Sequence, residues 1–181
     1  MSRTNSKKAI LAAAEEIVIE SGALHMTLDA VAERAGISKG GLIYNFPSKE
    51  ALLEAMIGRM MEHFDELREQ ARKQLSDAPY NDLMVEIKAF QGKSKMDRLG
   101  AALLAVVANQ PELMRVMRED LQHRLFEKIA RTEDDVRSLV LFFALMGLHF
   151  HNLLNISLLN QGQMKAVLDE LIRLASCDEN I

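Results

Sequence analysis

The chain has 181 residues, of which 49% are hydrophobic, so it is long enough to bury a core as one domain or as two small ones. Its formal net charge of −4 excludes a protein that binds nucleic acid through its total charge alone. The single cysteine, Cys177, excludes an intrachain disulfide framework and a multi-cysteine zinc site. Only three prolines, together with abundant Ala, Leu, Met and Glu, favour an all-α fold.

The first predicted helix runs from about Arg3 to Ser21. An apolar stripe at helical spacing marks its inner face, and Gly22 ends it. The stripe is made by Ile10, Ala14, Ile17 and Val18. No signal peptide is expected, because Glu15 and Glu16 interrupt the segment before any long apolar run.

Residues 27–50 carry the most informative pattern of the chain. Thr27 is a predicted N-cap, and the following helix has one apolar face made by Leu28, Val31, Ala32 and Ala35. Gly36 follows directly and suits the left-handed conformation that ends a helix.

Ser38 then caps a short helix from Lys39 to about Asn45. Only Leu42 and Phe46 face inward at a spacing of four. The outward residues are small, basic, aliphatic and aromatic: Lys39, Gly40, Ile43 and Tyr44. A short helix with such a surface suits the major groove of DNA, which is wide enough to admit it.

A long helix follows. Pro47 breaks the chain, Ser48 caps, and apolar positions recur to about Leu75. At 1.5 Å per residue this helix is about 40 Å long, so it begins in the DNA-binding head and ends in a second module.

Five more helices are predicted in the second module, and the two longest loops fall around Pro79 and Gly92. The expected bounds are Tyr80–Phe90, Lys95–Asn109, Pro111–Ala130, a helix that Thr132 caps and that ends near Leu159, and Met164–Ser176.

The eighth helix is apolar nearly all round from Leu139 to Leu154, so it should be buried on every side. It is either the centre of one protomer's core or it lies between that core and a second subunit; chain length favours the subunit interface. The apolar run is too short to span a bilayer, which needs about 20 residues. The expected interface residues are Gly147, Phe150, Leu154, Val167, Leu168 and Leu171.

The pattern of residues 27–50 resembles the DNA-binding head of the tetracycline-repressor (TetR) family of bacterial regulators. The matching residues are Thr27, Val31, Ala32, the run Ala35–Ser38, Gly40, Leu42, Tyr44, Phe46 and the run Ser48–Glu50. The resemblance implies an all-α, nine-helix fold: a three-helix helix-turn-helix head over residues 1–47, and a ligand-binding and dimerisation domain over residues 48–181.

The resemblance also implies roles for single residues. Phosphate contacts fall on Thr27, Lys49 and the amides near Ser38, while contacts to the groove fall on Gly40, Gly41, Ile43 and Tyr44. Lys39 and Asn45 complete the expected DNA-binding set. Gly41, Ile43 and Asn45 replace a frequent Thr, Tyr and His of the family pattern, which changes the expected operator sequence.

An apolar effector site is expected between the fourth and eighth helices. Its predicted lining is apolar, and most of it is flexible or aromatic: Phe64, Phe90, Met96, Leu99, Leu103, Met114, Met117, Phe142 and Met146. His149 and Asn152 are three residues apart and can share a helix face. Three roles are compatible with this spacing: a structural histidine, a polar pair in a dimer interface, or a polar contact for a ligand.

The resulting expectation is a cytoplasmic, ligand-responsive transcriptional repressor that binds a palindromic double-stranded DNA operator as a homodimer. A small, largely apolar effector would release it. No cofactor, metal site, membrane contact or catalytic cluster is expected. The alternatives are an effector-independent architectural DNA-binding protein, a transcriptional activator of the same fold, and an enzyme with a helical accessory head.

Overall fold

A computed structural model of the protein describes residues 3–75, 82–90, 95–108, 110–126, 136–156 and 158–176. Within these ranges all regular secondary structure is helical, which confirms the all-α prediction. The helices are α1 (Arg3–Ser21), α2 (Leu28–Ala35), α3 (Lys39–Asn45), α4 (Lys49–Leu75), α5 (Asp82–Phe90), α6 (Lys95–Val107), α7 (Pro111–Arg124), α8 (Val136–Leu153) and α9 (Gln161–Ser176).

The chain divides into two compact units. The first comprises Met1–His63 and Ser94–Met114, and the second comprises Phe64–Lys93 and Arg115–Ile181. The unit that contains α1, α2 and α3 therefore extends past residue 47, where the sequence analysis ended the first domain. It takes in the first half of α4 and all of α6.

The core of the first unit forms around α1, which packs against α2, α3 and α6. The predicted inner stripe of α1 is buried as expected. The side chains that fill the space around it come from all the helices of the unit: Val31, Leu42, Leu52, Leu53, Met56, Leu99 and Leu103. Burial of such aliphatic side chains contributes about 1.5–3 kcal/mol each before the entropy cost of ordering them.

One charged residue lies inside this core. Glu15 on α1 is only 1% exposed, and two cations from other helices approach its carboxylate. Arg59 Nη1 on α4 lies 3.0 Å from Oε1, and Lys95 Nζ on α6 lies 3.7 Å from Oε2. A buried carboxylate needs such compensation, because its transfer out of water costs several kcal/mol. Glu15 therefore fixes α4 and α6 against α1 by charge as well as by shape.

The core of the second unit is formed by α5, α8 and α9 together with the end of α7. Its buried cluster contains Leu83, Ile87, Leu125, Leu141, Phe142, Leu145, Leu168 and Leu171. The end of α4 is tied to α5 by two ion pairs, Arg68–Glu86 at 2.9 Å and Arg72–Asp82 at 3.0 Å. Arg68 and Glu86 are themselves largely buried, so this pair is shielded from solvent.

Two predicted helix ends were wrong. α8 ends at Leu153 because Asn155 adopts a left-handed conformation (φ 53°) and the Ile156 amide donates to the His151 carbonyl at 3.0 Å. α9 begins at Gln161, since Asn160 and Gln163 cap each other's amides reciprocally. α7 spans Pro111–Arg124 and continues as a π-helical turn through residue 126. Its predicted end near Ala130 and the predicted Thr132 cap lie outside the described residues.

The sequence predicted that α8 is buried on every side. Within one protomer it is buried on one face only. Leu141, Phe142 and Leu145 lie in the core, while an apolar stripe on another face is exposed. Among the described residues, Val136–Leu153 is also the one helix long and apolar enough to cross a membrane. That test is passed equally by core helices of soluble proteins, so it is weak evidence for a membrane span.

The position of Glu15 predicts an asymmetry between two substitutions. Arg59→Ala leaves the carboxylate buried with only the more distant Lys95, and we expect it to lower the free energy of unfolding by about 3 kcal/mol. Glu15→Gln leaves only half-exposed cations, which can rehydrate, and should cost about 1 kcal/mol. Urea unfolding of both variants measures the difference, and equal costs would contradict the role of burial.

Candidate nucleic-acid interface

The first element of the candidate interface is the capped N-terminus of α2. The Thr27 hydroxyl oxygen accepts a hydrogen bond from the Ala30 amide at 3.2 Å, as predicted. At the other end Gly36 is left-handed (φ 65°), and the Ile37 amide donates to the Ala32 carbonyl at 3.0 Å. Because a capping hydroxyl acts as an acceptor, its own proton is available to donate towards a phosphate.

The second element is α3, whose orientation follows the predicted phase. The Gly41 amide donates to the Ser38 hydroxyl at 3.1 Å, which starts the helix. Leu42 and Phe46 are buried, whereas Ile43 is exposed and Tyr44 is 71% exposed. The side chains that the family pattern assigns to DNA therefore lie on the solvent side of α3.

The first turn of α3 contains two glycines, so no side chain projects from the helix at these two positions. A Cβ atom at Gly40 would meet no heavy atom within 4 Å, so the residue borders open space. A Cβ atom at Gly41 would lie 3.3 Å from the capping Ser38 hydroxyl, so a side chain there would require the hydroxyl to shift. The absence of both side chains leaves Ile43 and Tyr44 as the projections from this face.

The basic side chains of this region are engaged within the protein. Lys39 Nζ donates to Asp29 at 3.0 Å, and Lys49 Nζ donates to the Leu24 carbonyl at 3.1 Å. Arg34 is bound to Glu20 on α1 at 2.6 Å. A fourth cation, Lys7, lies 5.7 Å from the centre of the Phe46 ring.

Lys49 and Asn45 both belong to the expected DNA-binding set, and each has an intramolecular partner. Lys49 joins the start of α4 to the turn between α1 and α2. Asn45 donates its side-chain amide back to the Gly41 carbonyl at 2.8 Å and is half-buried. Either contact would have to be exchanged or shared for the side chain to reach a phosphate.

The N-terminus of α4 favours negative charge. The Ala51 amide donates to the Ser48 hydroxyl at 3.1 Å, which caps the helix as predicted. The pKa of the neighbouring Glu50 carboxyl is lowered, first by a hydrogen bond from its backbone amide and then by one from the Ser48 hydroxyl. An anion is thus stabilised at this helix end, which is the position the family pattern gives to a phosphate.

The predicted effector lining is divided between the two units. Leu99 and Leu103 belong to the core of the first unit, as part of α6. In the second unit Phe142 is buried, and Phe90 and Met146 pack against the same cluster. Phe64 also lies in the second unit. The three remaining candidates are partly exposed methionines: Met96 and Met114 in the first unit, and Met117 in the second.

An aromatic group in the second unit centres on a residue that the sequence left open. The His149 ring on α8 makes edge contacts with Phe64, at a centroid distance of 5.9 Å, and with Phe90, at 5.7 Å. His149 is half-buried. The sequence analysis placed Phe64 and Phe90 in one predicted lining but did not join His149 to them, because the three rings are far apart along the chain.

The predicted interface residues fall on two different surfaces. Leu168 and Leu171 are buried in the protomer's own core, so within one protomer they are already covered. The stripe of α9 faces α5 and α8 instead. Phe150, Leu154 and Val167 are exposed, and a Cβ atom at Gly147 would meet no heavy atom within 4 Å.

Comparison with known proteins finds a matching family model for each of the two parts of the chain. Residues 10–56 match the model of bacterial regulatory proteins of the tetR family, and residues 83–176 match the tetracyclin repressor-like C-terminal domain. The HTH-type transcriptional regulator RutR of Escherichia coli is 29% identical over 132 residues. That alignment covers 73% of this chain and 62% of RutR, so the chain spans less than two thirds of its relative.

Solved structures agree in fold. A TetR-family regulator of Mesorhizobium loti superimposes with a TM-score of 0.71 at 16% identity, over 96% of both chains. The multidrug binding protein EbrR, solved with imidazole, gives 0.68 at 22% identity, over 92% of this chain and 94% of EbrR. The C-terminal match alone covers more than half of the chain, and together these matches show that it belongs to the TetR family of transcriptional regulators.

Proposed function

We propose that this protein is a ligand-responsive transcriptional repressor that binds a palindromic operator as a homodimer and is released by a small effector. The observation that carries the proposal is the geometry of α3. Its inner residues Leu42 and Phe46 are buried, while Ile43 and Tyr44 project from a surface kept low by two glycines. Such a helix can enter a major groove, where Ile43 can contact a thymine methyl group.

Dimerisation is supported by the exposed stripe of α8. Its residues follow at alternating steps of four and three, as in a helix that packs along a partner helix: Val136, Val140, Phe143, Gly147, Phe150 and Leu154. An extended apolar surface of this kind is typical of an interaction site. A Cβ atom at Gly147 would meet no heavy atom within 4 Å, so the missing side chain lets a second helix approach closely.

The two-fold axis that we propose sets the spacing of the DNA contacts. Two α3 helices that read one face of the duplex must lie about one turn apart, roughly 34–36 Å. The two units of each protomer share α4. A ligand that binds better when the two heads are at another separation lowers DNA affinity by linkage, whatever the details of the movement.

The effector that we propose is small and largely apolar, with an aromatic component. The support comes from the second unit, where the His149 ring contacts Phe64 and Phe90, and Met146 packs against the same buried cluster as Phe90. Rings and a methionine provide soft apolar contacts, and the imidazole provides one polar contact. The multidrug binding protein EbrR, with its bound imidazole, has the same fold.

Three other functions make different predictions. An architectural DNA-binding protein would bind DNA without responding to any small molecule. An activator would raise transcription from a promoter that contains its operator. An enzyme would need a reactive polar cluster. Within the described residues no group of three or more His, Cys, Asp and Glu is placed to hold a metal ion.

The first prediction concerns Tyr44. Tyr44→Ala should change the free energy of unfolding by less than about 0.5 kcal/mol, because the side chain is exposed. The same substitution should weaken binding to a duplex selected from a random pool by the wild-type protein, by about tenfold or more. Leu42→Ala is the matched control on the buried face and should cost about 2–5 kcal/mol of stability. Loss of folding in the Tyr44 variant would reverse the assignment of the faces.

The second prediction concerns the stripe of α8. Phe143→Glu would place an unpaired charge in the proposed interface, so sedimentation should show a monomer and operator binding should fall sharply. Leu24→Glu is the matched control: it changes an exposed apolar residue in the first unit and should leave the dimer intact. A dimeric Phe143→Glu protein would place the interface elsewhere.

The third prediction concerns the effector. A thermal-shift screen of apolar and heteroaromatic compounds should find one that raises the melting temperature and lowers operator affinity in the same concentration range. Phe90→Ala should weaken both effects, whereas Leu158→Ala, at a highly exposed position, should change neither. A compound that stabilises the protein without releasing DNA would contradict the coupling.

A further inference from the structure

The candidate interface contains an ion pair between Asp29 and Lys39. Lys39 belongs to the expected DNA-binding set, but Asp29 has no role among the expected DNA contacts. Asp29 lies in the first turn of α2, and Lys39 lies in the first turn of α3. The Lys39 Nζ atom is 2.9 Å from Asp29 Oδ1 and 3.0 Å from Oδ2, so both carboxylate oxygens lie within hydrogen-bond distance of the ammonium. The pair bridges the two helices whose capped ends are expected to meet the duplex.

Asp29 is not needed to start its helix. The first-turn amide of Ala30 is capped by the Thr27 hydroxyl, and the Asp29 side chain is 69% exposed. Lys39 is 59% exposed. An ion pair this open contributes little to stability and is weakened by salt, so it can be exchanged for another partner.

Because the head has no excess of basic residues, the pairing of a single lysine affects how many phosphates the head can neutralise. Residues 1–47 contain five basic and five acidic side chains, so the head has no net charge. Lys39 is the one basic residue within α3. A protein binds the DNA backbone by neutralising phosphates and releasing their counterions, and a lysine already held by a carboxylate contributes less to that process.

We propose that Asp29 competes with the DNA backbone for Lys39 and so limits the affinity of this protein for duplex of any sequence. In the free protein the carboxylate occupies the position of a phosphate oxygen at the ammonium. On binding, Lys39 must leave Asp29, or Asp29 must approach a phosphate well within the Debye length of about 8 Å. Both alternatives weaken backbone contacts without affecting base readout, because phosphate contacts carry no sequence information.

This inference rests on the proposed DNA-binding function, and its test uses two duplexes. One is a mixed-sequence duplex of about 30 base pairs, and the other is a duplex selected from a random pool by the wild-type protein. Asp29→Asn keeps the shape of the side chain and removes its charge. Its affinity for both duplexes should rise by about threefold to fivefold per protomer, which is the upper range for an exposed ion pair. The plot of log affinity against log salt should steepen by about 0.9 per protomer, one additional phosphate contact.

A matched control is available in the same unit. Glu20→Gln breaks the exposed Glu20–Arg34 pair and changes the net charge by the same amount. Arg34 lies five residues after Asp29, about 140° around α2, so it is on another face of that helix. Glu20→Gln should leave both the affinity and the salt slope nearly unchanged. An equal gain from this variant would mean that only total charge matters, and would overturn the role of Asp29.

A second substitution tests whether the gain passes through Lys39. In the Asp29→Asn protein, Lys39→Met should remove the added affinity and return the salt slope to the wild-type value. Weaker binding by Asp29→Asn would overturn the proposal, because it would mean that the carboxylate positions Lys39 for its contact. If the wild type and all variants bind neither duplex at low salt, the DNA-binding function and this inference both fail. If the wild type binds and Asp29→Asn is no tighter, only the inference fails.

Discussion

The arrangement of the candidate nucleic-acid interface depends on how three helix ends are fixed within twelve residues. α2 and α3 have eight and seven residues, too few to be stable as isolated helices in water. Thr27 and Ser38 each satisfy a backbone amide at a helix start, and the left-handed Gly36 ends α2 between them. These contacts determine where α3 begins, and therefore which of its side chains face the core and which face solvent.

Local signals of this kind explain why the head could be predicted from sequence in detail. Three kinds of signal act over only a few residues: a capping side chain, a left-handed glycine and an apolar spacing of four. All three could be recognised in the sequence around α2 and α3. The phase of Leu42 and Tyr44 followed from them and is confirmed. The end of α8 was missed because Asn155, unlike glycine, gives little warning of a left-handed residue. The start of α9 was missed because Asn160 and Gln163 form a capping pair other than the commonest one.

The parts that could not be predicted depend on contacts between residues far apart in sequence. An apolar stripe indicates that a helix face is covered, but not what covers it. Leu168 and Leu171 are covered by their own protomer, whereas the equally apolar Phe143 is exposed. The same limit applies to charges. Nothing in the local sequence around Glu15 indicates that it is buried. Its burial beside Arg59 and Lys95 depends on residues 44 and 80 positions away.

The contact between Glu15 and Lys95 also bears on how the protein is made. The first unit is discontinuous: α6 belongs to it, although residues 64–93 of the intervening chain belong to the second unit. During synthesis, α1 emerges from the ribosome long before α6 supplies Lys95, Leu99 and Leu103, and until then Glu15 lacks one partner and the core lacks one wall. The helix-turn-helix segment is therefore encoded first but completed late. A nascent chain that ends before α6, or a fragment cut after α4, would therefore have an incomplete core in the first unit.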